Sequence, residues 1–149
     1  MAGIDLREKA LRLLALREHS RSELAHKLAA HATGDDVATL LDRLVELDLL
    51  SDSRFAHAYV RSHAARFGVQ RLRHELARRG VAEALMDEAI EAETGADEFA
   101  RAQAIWKRKY TSAPPDMKEW ARQARFLQSR GFSSEVIRTL LKDPDHEPA

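Results

Sequence analysis

The chain has 149 residues, a formal net charge of zero from 24 Lys plus Arg against 24 Asp plus Glu, and no cysteine. Disulfides, thiolate metal sites and cysteine nucleophiles are thereby excluded, and the composition suits a reducing cytosol. No apolar run approaches the roughly 20 residues of a membrane-spanning helix, and Met1–Asp5 has no basic-then-apolar leader pattern. A cytoplasmic protein without membrane contact is therefore expected.

Helix is the only persistent pattern, since Ala, Leu, Arg and Glu dominate and strand-like alternation is absent. Leu6, Ala10, Leu13, Leu14 and Arg17 mark a first helix, and Ser20 ends it. Ser20-Arg21-Ser22-Glu23 reads as a capping box opening a second helix, with Leu24 and Leu28 inward. Thr33-Gly34-Asp35-Asp36 opens a third, whose stripe is Val37, Leu40, Leu41 and Leu44, with Leu47 at its margin. Ser51 or Asp52 caps a fourth, carrying Phe55, Ala58, Tyr59 and Phe67, and Gly68 breaks it. Val69, Leu72 and Leu76 form the next stripe. Gly80 stands where a left-handed C-terminal cap belongs, because it has no Cβ to clash. Leu85, Met86, Ala89 and Ile90 make a sixth helix.

Thr94-Gly95-Ala96-Asp97 resembles a further helix start, followed by Phe99, Ala102, Ile105, Trp106 and Tyr110. A loop runs through Pro114-Pro115, with Pro115 suited to a first helical position. Trp120, Ala124 and Leu127 precede Gly131, and Val136, Ile137, Leu140 and Leu141 make the last helix.

These elements repeat. At a fixed offset of 51 residues, Val69–Ile90 lies over Trp120–Leu141 without a gap: Arg71 on Arg122, Leu76 on Leu127, Arg79 on Arg130 and Gly80 on Gly131. Phe55 and Tyr59 fall on Trp106 and Tyr110 at the same offset. The first unit fits less evenly, as terminal repeats commonly do. The fold expected is all-α: three tandem three-helix repeats, 1–50, 51–93 and 94–143, in an elongated, curved array, with a frayed tail over 144–149.

Charge alternates along the chain: −5 over 35–52, +6 over 54–79, −7 over 83–98 and +6 over 101–130. Such zoning orients a charged partner, or closes on itself between neighbouring helices. No constellation for chemistry is present. His57 and His63 are six apart and His26 and His31 five apart, so neither pair shares a helix face as metal ligands would. Ser20, Ser22 and Thr33 are explained by helix caps, and no glycine-rich phosphate loop exists. No enzyme, metal or cofactor is expected. Phe55, Tyr59, Trp106, Tyr110 and Trp120 are in phase with the apolar stripes, which makes them core residues rather than base-stacking platforms. Arg71, Arg73, Arg78 and Arg79 on one second helix, and Arg122, Arg125 and Arg130 on another, interleave with buried positions and offer forked donors for carboxylate or phosphate.

Three ordered motifs resemble the RecX regulatory proteins, which modulate the RecA recombinase. The first is Ala10-Leu11-Arg12-Leu13-Leu14 with Arg17-Glu18-His19-Ser20, Glu23-Leu24 and Lys27-Leu28. The second is Leu49-Leu50-Ser51-Asp52-Ser53-Arg54-Phe55-Ala56 with Tyr59-Val60, and the third is Leu72, Glu75-Leu76 and Arg79-Gly80-Val81. The resemblance implies a monomeric regulator in DNA repair, recombination and the SOS response. Such a protein lodges in the groove of the RecA–DNA filament and suppresses recombinase, ATPase and coprotease activities. Arg71, Arg73, Arg78, Arg79, Arg122 and Arg125, then Lys107, Arg108 and Lys109, are the residues expected to meet RecA or DNA phosphate. The alternative is a helix-turn-helix-like or sequence-nonspecific DNA-binding protein, and weak DNA contact is compatible with either.

Overall fold

A computed structural model gives the fold and describes residues 5–95 and 97–142. The expected frayed tail, 144–149, lies outside the described residues, as do residues 1–4 and Ala96. Among the described residues there are nine helices and no strand: α1 (Leu6–Leu16), α2 (Arg21–Leu28), α3 (Gly34–Glu46), α4 (Asp52–His63), α5 (Val69–Arg78), α6 (Glu83–Thr94), α7 (Glu98–Lys109), α8 (Met117–Ser129) and α9 (Ser134–Leu141). No described helix is long and apolar enough to cross a membrane.

Short polar side chains start these helices. Asp5, Ser20, Thr33, Asp97, Asp116 and Ser133 each accept a hydrogen bond from an otherwise unpaired backbone N–H in the first turn. At α2 both halves of the capping box are formed, Glu23 reaching back to the Ser20 N–H. Ser51 caps α4, accepting from the Arg54 N–H at 3.1 Å, while Asp52 accepts from the Arg21 N–H at 2.7 Å.

Four expectations need correction. Helix α4 stops at His63, so Phe67 lies beyond it, although its N–H still donates to the His63 carbonyl at 3.0 Å. Pro115 stands outside α8, because the Asp116 carboxylate takes the capping position and accepts from Glu119 N–H at 2.8 Å. Leu47, just past the end of α3, and Phe99, in the first turn of α7, are 39% and 37% exposed rather than buried. A helix end lacks neighbours on one side, and the apolar stripe does not reach it.

The chain divides into two compact units. Among the described residues, one comprises 5–59 and 76–89, the other 60–75 and 90–142 apart from Ala96, so α4, α5 and α6 each contribute to both. The first unit is centred on Ala10, Leu24, Leu28, Val37, Leu41, Leu44 and Leu50. The second is centred on Ala102, Ile105, Leu127, Phe132, Ile137 and Leu141, with Trp106 and Trp120 packed against them. Phe55 and Tyr59 are buried, and the Trp106 and Trp120 indoles bond to Gln123 Oε1 and the Lys142 carbonyl.

The same turn recurs in both units. In the first, Gly80 has φ +80°, and Ser20 Oγ donates to the Arg79 carbonyl at 2.7 Å. In the second, Gly131 has φ +96°, the Gly68 N–H donates to the Arg130 carbonyl at 2.7 Å, and the Gln70 N–H donates to the Gly131 carbonyl at 3.0 Å. Each turn therefore sits against the start of an earlier second helix, α2 or α5. A Cβ on Gly80 would overlap the Ser22 side chain, and one on Gly131 would overlap the Arg71 backbone nitrogen and Cβ. The glycines are required twice over, by the left-handed backbone and by the closeness of the neighbour.

Candidate functional site

Many of the cations are tied inside the fold. Arg17 pairs with Glu23 through two 3.2 Å contacts. Arg54 reaches Glu18 at 3.1 Å and Asp48 at 2.8 Å, and Arg61 meets Glu93 at 2.9 Å. Arg101 is half-buried and donates to the carbonyls of Ala64 and Phe67 just past the end of α4, where burial pulls its pKa below the usual arginine value. The sign-alternating zones thus close partly on themselves.

The expected contact residues fall into different settings. Arg71 is half-buried: it meets Glu75 at 3.4 Å, donates to the Ser129 carbonyl at 3.1 Å, and lies 4.5 Å from the centre of the Phe67 ring. Arg79 lies over Tyr59 at 4.8 Å. Arg73 is half-buried and Arg78 exposed, and both have partners within the chain. Arg71 and Arg73 belong to the second compact unit, Arg78 and Arg79 to the first. Arg122 is 68% exposed with Glu119 at 3.7 Å, and Arg125 and Lys107 are exposed. Arg108 donates to the Ala65 carbonyl at 3.1 Å, and the Lys109 ammonium lies 4.3 Å from the centre of the Phe126 ring.

Of this set, Arg108 and Lys109 share one recess, and Lys109 and Arg122 share another. In the second unit Arg108 and Lys109 join Arg66 and Arg130 around a recess of about 310 Å³, also lined by Ala65, Ile105 and Phe126. Arg130 sits 5.2 Å from the Phe126 ring centre, and Arg66 sits 5.6 Å from that of Phe67. Arg71, Arg73, Arg78, Arg79, Lys107, Arg122 and Arg125 lie outside this recess. Arg130 stands out in the sequence with Arg122 and Arg125 as a donor for carboxylate or phosphate but is not among the expected RecA or DNA contacts, and Arg66 does not stand out. The signal for Arg130 was its repeat match to Arg79; for Arg66 it was only membership of the basic 54–79 zone. A neighbouring recess of about 500 Å³ mixes Lys109, Lys118 and Arg122 with Asp116 and Glu119.

Among the described residues no group of His, Asp and Glu is placed to hold a metal. His19 is buried, with Nδ1 3.0 Å from the Arg17 carbonyl and Nε2 2.9 Å from Lys27 Nζ. An Nδ1–H tautomer donates to that carbonyl and accepts from the ammonium. No buried side-chain nitrogen or oxygen among the described residues lacks a partner. The arrangement offers cations on an apolar floor, which is equipment for holding anions.

Comparison with known proteins agrees along the chain. Family models for the RecX first, second and third three-helix domains match residues 7–44, 51–90 and 96–141. Regulatory protein RecX of Leptothrix cholodnii is 45% identical over 146 residues, covering 97% of this chain and 92% of the relative. Regulatory protein RecX of Herbaspirillum seropedicae is 45% identical over 137 residues, covering 91% and 88%. The crystal structure of RecX from Lactobacillus salivarius shares the fold, with a TM-score of 0.75 at 20% identity and 94% of each chain covered.

Proposed function

The chain belongs to the RecX regulatory family, and from that premise we propose that it binds the RecA–DNA filament and inhibits the recombinase, ATPase and coprotease activities of RecA. The observation that carries this reading is the match to all three domains in order, with 45% identity to regulatory proteins over nearly the whole chain. It acts as a cytoplasmic monomer and catalyses no reaction. Its repeats, 1–50, 51–93 and 94–143, present successive contacts to the filament, so that modest individual interactions multiply. Inhibition is a population shift: binding one filament state better than another displaces the equilibrium by the difference in affinity.

Within this reading the basic side chains of α5, α7 and α8 meet acidic surface or phosphate. Arg71 and Arg73 are awkward probes, since Arg71 also fastens its own unit through Ser129, Glu75 and Phe67. Arg122 and Arg125 are exposed and suit the test better. Arg122→Glu with Arg125→Glu should weaken binding to RecA filaments at least about tenfold and flatten its salt dependence. Undiminished inhibition by the folded double variant would remove α8 from the interface.

A further inference from the structure

Four cations line the recess in the second unit, and none of them forms a close ion pair with a described carboxylate, though Lys109 also borders the neighbouring recess that holds Asp116 and Glu119. Arg66, Arg108, Lys109 and Arg130 are placed by ring faces and a backbone carbonyl: Arg66 against Phe67, Lys109 and Arg130 against Phe126, and Arg108 on Ala65 O. This contrasts with Arg17, Arg54 and Arg61, whose charges are met by Glu23, Glu18 with Asp48, and Glu93. Aromatic and carbonyl contacts orient a cation without cancelling its charge. The result is a concentrated positive field over an apolar floor of Ala65, Ile105 and Phe126.

We infer that this recess is a phosphodiester site for a single nucleic-acid strand, independent of any contact with RecA. The volume, about 310 Å³, is at the lower end of small-ligand pockets. A flexible strand can lower one nucleotide into such a hollow, setting phosphate against the guanidiniums and the base against the apolar floor. The phosphates of a rigid duplex run along a convex ridge and do not enter it. Interleaved cations and aromatic rings are the usual equipment for holding single strands without reading sequence. An acidic polypeptide would satisfy the charges but would leave the apolar floor unused.

The test needs only the full chain and a labelled oligothymidylate, with binding followed by fluorescence anisotropy from about 0.05 M salt upward. Arg66→Gln with Lys109→Gln should weaken binding at least about tenfold at the lowest salt and reduce the slope of log affinity against log salt by about 1.4, the share of two single-strand phosphates. The control, Arg12→Gln with Arg43→Gln, removes the same charge from exposed sites in the first unit and should change affinity by less than about threefold. If the double variant melts early, Lys109→Gln alone carries the test, with an expected loss of at least about threefold. Equal losses in site and control variants would overturn the inference. So would competition by an oligoglutamate of matched charge as effective as that by the oligonucleotide, which would make the recess a protein contact. An equal dependence of duplex binding on the same residues would overturn the single-strand assignment. Because RecA is absent throughout, each result is separate from the fate of the filament reading.

Discussion

Gly80 and Gly131 show what single positions contribute. Their equivalence at one repeat offset is visible in the sequence, and their positive φ follows from their place after a helix. What the sequence does not display is the earlier helix that each turn approaches, because that neighbour lies about 60 residues upstream, outside any local pattern. The two sites differ in what a methyl group would meet: side-chain atoms of Ser22 at one, backbone of Arg71 at the other. A left-handed backbone costs a non-glycine residue roughly 1–2 kcal/mol at either site. Gly131→Ala adds a displacement of backbone that Gly80→Ala escapes in part. Thermal unfolding should show the larger loss for Gly131→Ala, at least about 2 kcal/mol, or about 4 °C or more in Tm. Equal or reversed losses would mean that the Arg71 contact relaxes freely. Arg17, Ser20, Glu23, Arg54 and Gly80, residues that carry the family resemblance, all fasten the first unit. The motif that reveals the family therefore says little about where a partner binds.

Helix order and helix starts were legible because they depend on local chemistry. Ser20, Thr33 and Asp97 are short acceptors ahead of apolar periodicity, and they cap as such residues do, whereas the start of α8, read at Pro115, is made by Asp116. The end of α4 was not legible, since Phe67 continues the apolar phase while Arg101 claims the carbonyls beyond the helix. The α1–α2 connection brings together two titrating groups, His19 and Glu23, and makes a prediction in pH. Burial holds the His19 imidazole below its usual 6.5, aided by the charges of Arg17 and Lys27. The unfolded chain then takes up the proton more readily, so stability is complete above about 6.5 and falls as pH drops below it. Burial alone would raise the Glu23 carboxyl, but Arg17 and the Ser20 N–H hold it below 4.5. Its contribution is present above that value and disappears as pH falls further. Urea unfolding from pH 8 to 5 should show declining stability, and His19→Gln should remove part of that slope. An unchanged slope in His19→Gln would place the titration elsewhere.

At the scale of the whole chain, repetition was open to reading, and the matches to three successive three-helix domains agree with it. The distribution of usable charge was not. Of the basic residues singled out by their helix positions, Arg71 and Arg79 are partly consumed by contacts within their own units, whereas Arg66 and Arg130 join Arg108 and Lys109 at one recess. Sequence registers charge sign but not the carboxylate or ring opposite each cation, which depends on tertiary placement. The recess supplies contact with a strand; the regulatory role requires more, namely preference for the protein filament over nucleic acid alone. Co-sedimentation of the full chain with RecA filaments on single-stranded DNA, against naked single- and double-stranded DNA at about 0.15 M salt, measures that preference most directly. The filament should carry the chain down at concentrations at least about tenfold below those that naked DNA requires. Equal or tighter binding to naked DNA, or a chain left in the supernatant by filaments, would contradict it.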